Sequence, residues 1–182
     1  MIFNKLLLKG AYTIDLEKHG DDRGFFARYW CKKEFEELGL DANIIQINSS
    51  MSKIKGTIRG LHIQRPPKAE TKIVRCIRGK IWDVIVDIRL ESPTYGEWYG
   101  SELNENNRTM MYVPKGFAHG FQSLVDNVEL LYLHSEFYSL EDESGLLYND
   151  KDVAIDWPLP VSEISKRDKS HPALNKLQPI KL

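Results

Sequence analysis

The chain has 182 residues, room for one domain with a sizeable core and too few for two ordinary ones. Its 25 lysines and arginines against 26 aspartates and glutamates leave a formal net charge of -1. That balance excludes a global basic field drawing the protein to nucleic acid or an anionic membrane, so an anionic ligand has to be held by a local cluster of cations.

The two cysteines, Cys31 and Cys76, are too few for a disulfide scaffold and lack metal-site spacing. They read as free thiols of a reduced cytoplasm. The amino terminus has one apolar cluster, Leu6 to Leu8, without the small-residue cleavage site of a secretion signal. No window approaches the ~20 apolar residues of a spanning helix. The expectation is a soluble, cytoplasmic protein.

Residues 3–17 alternate loosely and predict one or two edge strands, followed by a polar turn over residues 19–24. Residues 32–38 predict a short peripheral helix, with Phe35 and Leu38 on one face and Gly39 suited to its C-terminal cap. From Asn43 the pattern changes to strands, at 44–48, 57–63, 71–77 and 80–89. In the last run Trp82, Val84, Val86 and Ile88 share one face while Asp83, Asp87 and Arg89 share the other, the period of a strand. Gly79, between Arg78 and Lys80, predicts a hairpin turn.

Further short strands are predicted at 98–103, 109–113, 117–124 and 128–135, with turn signals at 104–107, 114–116 and Asp126-Asn127. The tail from Glu141 reads as loops around Pro158 and Pro160, with a turn of helix near 162–167. No internal repeat or low-complexity linker is present. Short strands at this spacing with little helix predict an antiparallel sandwich or barrel, and a jelly roll suits the count: one all-β domain over residues 1–182.

The chemistry-bearing residues concentrate between Thr57 and Asp87. His62 has the residue type of a general base near neutral pH. On a strand a lone histidine is more often structural, but Arg59, Gln64, Arg65 and Lys72 lie close along the chain, and burying so many polar groups without a ligand is costly. Strict alternation puts Arg59 and His62 on opposite faces, unless Gly60 marks a bulge that re-aims one of them. His119 reads equally as a donor to phosphate or sugar and as a buried structural histidine. Tyr132 shares a strand face with Val128, Leu130 and His134, a position where tyrosine is usually core.

One reaction uses this set well. In a 4-keto sugar the carbonyl acidifies the protons on C3 and C5; His62 removes one, Lys72 stabilises the charge developing on the C4 oxygen, and Tyr132 returns a proton to the opposite face.

Several ordered blocks resemble one family. They are Asp22-Arg23-Gly24-Phe25-Phe26, Gln46-Ile47-Asn48, Arg59-Gly60-Leu61-His62, the run from Asp83 to Arg89, Ser92-Pro93-Thr94-Tyr95-Gly96, the run from Pro114 to Phe121, Trp157-Pro158 and Ser165-Lys166-Arg167-Asp168. Over almost the whole chain they resemble the nucleotide-sugar 3,5-epimerases typified by dTDP-4-dehydrorhamnose 3,5-epimerase. The resemblance implies a cupin-type jelly roll, a homodimer, a nucleoside-diphosphate 4-keto sugar as substrate and no cofactor. It implies His62 as base, Asp168 as its dyad carboxylate and Tyr132 as opposing acid. It further implies Lys72, Arg59, His119 and Glu143 around the sugar and diphosphate, Arg23, Phe26, Gln46, Asn48 and Arg167 on the nucleotide or phosphate, and Tyr138 stacked nearby.

Four positions depart from the family pattern. Arg167 stands where lysine is usual. Leu133 and His134 replace a polar run after Tyr132, which leaves open whether C3, C5 or both are inverted. Arg28 stands where the family usually carries a glutamate. A donor-only side chain there points to a base offering acceptors, hence a CDP- or GDP-linked sugar, with dTDP retained if Arg28 faces solvent or phosphate. Two other readings compete. In a metal-dependent cupin, the sequence His62-Ile63-Gln64 lacks the second histidine and Lys72 puts positive charge where a cation would sit. A non-catalytic nucleotide-sugar binding module would keep Arg23, Arg59 and the aromatics without needing His62, Tyr132 and Asp168 to converge.

Overall fold

The computed structural model describes residues 1–182. Thirteen strands follow in chain order: β1 (Ile2–Lys5), β2 (Tyr12–Asp15), β3 (His19–Asp21), β4 (Gly24–Phe26), β5 (Gln46–Ser52), β6 (Ile58–Gln64), β7 (Lys72–Arg78), β8 (Lys80–Asp87), β9 (Trp98–Asn104), β10 (Met110–Val113), β11 (Phe117–Ser123), β12 (Val128–His134) and β13 (Glu143–Gly145). Helix α1 (Lys32–Glu37) lies between β4 and β5, and α2 (Lys166–Lys169) follows β13. No helix is long and apolar enough to cross a membrane.

Two antiparallel sheets face each other in a jelly-roll arrangement. One has six strands in the order β1-β2-β10-β7-β12-β5, the other five in the order β13-β6-β11-β8-β9, and β3-β4 form a separate hairpin. Strand β2 is therefore interior to its sheet, not the edge that its loose alternation predicted. The short helix forms one residue shorter than expected, capped at Leu38, and the C-terminal helical turn sits a few residues later than expected.

The turn at Gly79 differs from expectation in kind. Strands β7 and β8 flank it but belong to different sheets, so the glycine is a sheet switch and not a hairpin. Its φ of +74° and the closeness of Val125 and Val128, 3.0 Å from any added Cβ, make glycine the residue that fits.

Three apolar clusters explain the strand patterns. Between the sheets lie Val74, Cys76, Ile81, Ile85, Met111, Phe121 and Leu130. Outside the five-stranded sheet, Leu61, Val84, Val86 and Ile88 pack under Leu146, Val153, Leu177 and Ile180 from the C-terminal segment. Outside the six-stranded sheet, fully buried Phe35 of α1 covers Ile14, Ile73 and Met110. Burying a phenylalanine of this kind contributes about 1.5–3 kcal/mol. Because the C-terminal layer covers the apolar side of β8, its polar side also points inward. Asp83 and Asp87 are both fully buried, and Asp87 is matched by Arg89, Ser92 and Thr94 at 2.6–2.9 Å.

Candidate active site

Between the two sheets opens a cavity of about 240 Å³. The six-stranded sheet supplies Asn48, Ser50, Lys72, Tyr132 and His134, and the five-stranded sheet supplies Arg59, His62 and His119. Pairing explains the shared direction on the first wall, since Tyr132 stands opposite Asn48 and Val74, and His134 opposite Lys72. Residues opposite one another across a ladder face the same side.

On the second wall, alternation alone would separate Arg59 from His62. The register of β6 against β11 slips by one residue between the pairs His119–His62 and Phe121–Arg59, so β6 carries an extra residue and both side chains face the cavity. Gly60 makes this possible. Its φ is +125°, and a Cβ there would lie 2.6 Å from Cα of Gly120.

Asp168 reaches His62 from α2. Ser165 caps that helix by accepting the Asp168 N–H at 3.0 Å, and a parallel bridge from Ile58 to Ile164 docks the segment beside β6. The carboxylate accepts the Gly60 N–H at 3.1 Å and stands 3.0 Å from His62 Nε2. Burial opposes its ionisation, but the His171 and His62 rings and the Gly60 N–H outweigh it and hold its pKa far below the usual carboxylate range. An ionised acceptor fixes the tautomer: Nε2 of His62 carries the proton and donates, and Nδ1 keeps the lone pair. The Arg167 Nη2 at 3.4 Å from that same Nε2 is then a donor facing a donor and makes no hydrogen bond to it. Burial lowers the His62 pKa against the opposing pull of Asp168, favouring the neutral form that a base requires.

Across the cavity the Tyr132 hydroxyl is 2.9 Å from Ser50 Oγ, and its pKa is pushed well up by burial. Lys72 Nζ is 3.1 Å from Glu70, whose other oxygen is 2.7 Å from Nδ1 of His134. Burial works against the Glu70 charge, yet His134 and Lys72 together hold its pKa below the ordinary value. His119 Nε2 is 2.8 Å from Asp83, a fully buried carboxylate whose pKa is raised by desolvation and whose second oxygen has no partner. The cavity thus holds an imidazole, a phenol and an ammonium on two facing walls.

The family model for dTDP-4-dehydrorhamnose 3,5-epimerase matches residues 5–176. The chain belongs to the dTDP-4-dehydrorhamnose 3,5-epimerase family. It is an isomerase of the epimerase type. A dTDP-4-dehydrorhamnose 3,5-epimerase of Methanothermobacter thermautotrophicus is 44% identical over 171 residues, covering 92% of this chain and 91% of the relative. A dTDP-4-dehydrorhamnose 3-epimerase of Streptomyces niveus is 36% identical, covering 93% and 82%. The crystal structure of the Bacillus anthracis 3,5-epimerase with TDP and PPi bound is 42% identical, with a TM-score of 0.90 over 94% of this chain and 98% of that one.

Within this epimerase the other expected residues fall into three groups. Arg59 lines the cavity and donates to Ser52 Oγ and the Met51 carbonyl, both at 2.9 Å. Glu143 lines the rim, accepting from the Tyr138 hydroxyl at 2.9 Å and from Arg167 at 2.8 Å, while Gln46 accepts the Tyr138 N–H. Arg23 and Phe26 lie apart, on the exposed β3-β4 hairpin, with Arg23 paired to Asp21 at 2.6 Å. Arg28 also lies apart from the His62 cavity. Its Nη1 is 2.7 Å from Glu34 in a separate hollow with Met1 and Phe26, so within one chain it does not meet a ligand beside His62.

Reading the sequence alone missed Glu70, His171, Asp83 as the partner of His119, and Ser50 as the partner of Tyr132. His171 had a local signal, three residues after Asp168, and Glu70 another, two residues before Lys72; Asp83 and Ser50 are matched only across strands. His62, Asp168 and His171 present ligand atoms within 4.8 Å of one another. The Arg167 guanidinium, 3.4 Å from His62 and 3.6 Å from Asp168, places positive charge where a cation would bind them.

Proposed function

We propose that this epimerase inverts C3 and C5 of a dTDP-linked 4-keto-6-deoxy sugar through enolate intermediates. The observation that carries the reading is the placing of His62 with Asp168 on one wall and Tyr132 on the facing wall of one cavity, with Lys72 beside them. Nδ1 of His62 takes the proton from the carbon next to the carbonyl. The C–H electron pair becomes the enolate, with its charge on the C4 oxygen facing the Lys72 ammonium. Tyr132 then gives its proton to the opposite face of that carbon, C4 returns to a carbonyl, and the centre is inverted.

Asp168 supports the imidazolium formed in the first step. The carbonyl of the sugar is itself the electron sink, so the chemistry calls for no cofactor. Arg59 and His119 bind the sugar and diphosphate, with Glu143, Arg167, Tyr138, Gln46 and Asn48 around the nucleotide end. The TDP held by the Bacillus anthracis relative supports thymine as the base, and Arg28 is already occupied by Glu34.

The working unit is a homodimer of single-domain chains. The exposed side chains of Ile45, Ile47 and Met51 beside and along the edge strand β5 support this reading.

The deciding experiment supplies a dTDP-4-keto-6-deoxy sugar in deuterium oxide. Deuterium at both C3 and C5 is the expected result. Label at one centre only makes the chain a mono-epimerase, and none at either rejects the reaction. Titration with CDP and GDP beside dTDP tests the base, and a clear preference for either of the first two overturns thymine.

A further inference from the structure

His171 lies outside the cavity and plays no part in the chemistry above, yet its ring is nearly buried, with 11% of the side chain exposed. Its Nε2 is shut off from solvent and has no hydrogen-bond partner. A buried ring nitrogen without a partner is costly. The nearest opposite charge is the Asp168 carboxylate, with Oδ1 at 3.7 Å, the same oxygen that faces His62 at 3.0 Å.

The surroundings hold the ring in that position. It meets the His62 ring edge to face, with centroids 5.9 Å apart at 79°. Gly145 of β13 leaves room for it, since a Cβ at that residue would lie 2.4–2.5 Å from three ring atoms. The Leu147 N–H donates to the Pro172 carbonyl at 3.0 Å and fixes the backbone beside it. Asp168 is thus gripped at Oδ2 by the Gly60 N–H and faced at Oδ1 by two imidazoles.

We propose that His171 is a positioning residue of the epimerase. It presents an N–H to Asp168 from the side away from the cavity and keeps the carboxylate turned toward His62. At 3.7 Å the attraction is that of a dipole for a charge and is longer than a hydrogen bond. It acts in a shielded site, where such attractions are stronger than in water. Its effect falls on the proton transfer and not on substrate binding, because the ring has no surface in the cavity.

The inference rests on the epimerase reading above, and the test separates the two. His171→Phe keeps a ring packed against His62 and removes the nitrogen, whereas His171→Gln supplies an N–H at a similar reach. Turnover and deuterium exchange are measured with the dTDP-4-keto-6-deoxy sugar. The Phe variant is expected to lose about tenfold in kcat with KM held within about twofold, and the Gln variant to regain most of the loss. Gly145→Ala, which displaces the ring without changing its chemistry, is expected to reproduce the kcat loss and decides the matter should the Phe variant fail to fold.

A readout independent of turnover is the downfield proton resonance of the His62 Nε2–H bonded to Asp168, expected to broaden or vanish in the Phe variant and persist in the Gln variant. Unchanged kcat in the Phe and Ala variants, or a Gln variant as slow as the Phe one, overturns the role of His171. A wild-type protein that leaves the sugar unchanged while its resonance responds as described rejects the epimerisation reading and leaves the role of His171 standing.

Discussion

Nε2 of His62 lies 3.0 Å from Oδ1 of Asp168 across 106 residues of sequence, bringing a strand of the five-stranded sheet and a C-terminal helical turn to one point. Replacing the carboxylate leaves the imidazole in place but frees its tautomer and withdraws support from its charged form. Asp168→Asn is expected to lower kcat about 100-fold, with dTDP affinity changed little. Steady-state kinetics beside calorimetric titration of dTDP checks this.

The pH dependence follows from the shifts at the same pair. Burial sets the His62 pKa below that of free histidine, so the acid limb of kcat/KM is expected below about pH 6.5. Asp168 is the group that pulls that pKa up; in Asp168→Asn the limb therefore moves further to the acid side. For stability, the unfolded chain binds more protons at His62 than the folded one does, so stability falls as pH drops below about 6.5. The depressed Asp168 contributes stability that is complete above its unfolded pKa and is lost as pH falls below about 4. Urea melts at a series of pH values test both windows.

Tyr132→Phe removes the proposed proton donor of the far wall while keeping the ring against His119 and His134. Net inversion is expected to fall about 100-fold or more, while label still enters from the His62 side with configuration retained. The lost hydroxyl contact to Ser50 costs stability only about 1 kcal/mol. Chiral analysis of the labelled sugar distinguishes retention from inversion.

Gly60→Ala acts on the bulge itself. The new Cβ would meet Gly120 Cα at 2.6 Å and the His119 carbonyl at 2.8 Å, at a φ of +125°. The expected cost is about 3 kcal/mol or more, read from a chemical denaturation curve. Any folded fraction should have lost activity, because Arg59 and His62 no longer share a side.

The sheet architecture was legible because strand length, alternation and turn residues are local properties. What those properties could not specify was which strands pair. Gly79 carries the signal of a hairpin, and only the sheet order makes it a crossing from one sheet to the other. Asp83 read as the polar side of β8, and that side turned out to be interior because residues after 145 cover the other. The joint orientation of Arg59 and His62 needed one slipped residue, which Gly60 hinted at and the ladder with β11 reveals. Glu70 had a local partner in Lys72, two residues on, but its second partner, His134, reaches it only through the pairing of β7 with β12.

His62 also borders a second hollow of about 540 Å³, formed with Ser162, Ser165 and Arg167 on the far side of β6, and Arg59 is common to both. The imidazole is thus a partition shared by two chambers, so any substitution at His62 reshapes both of them at once.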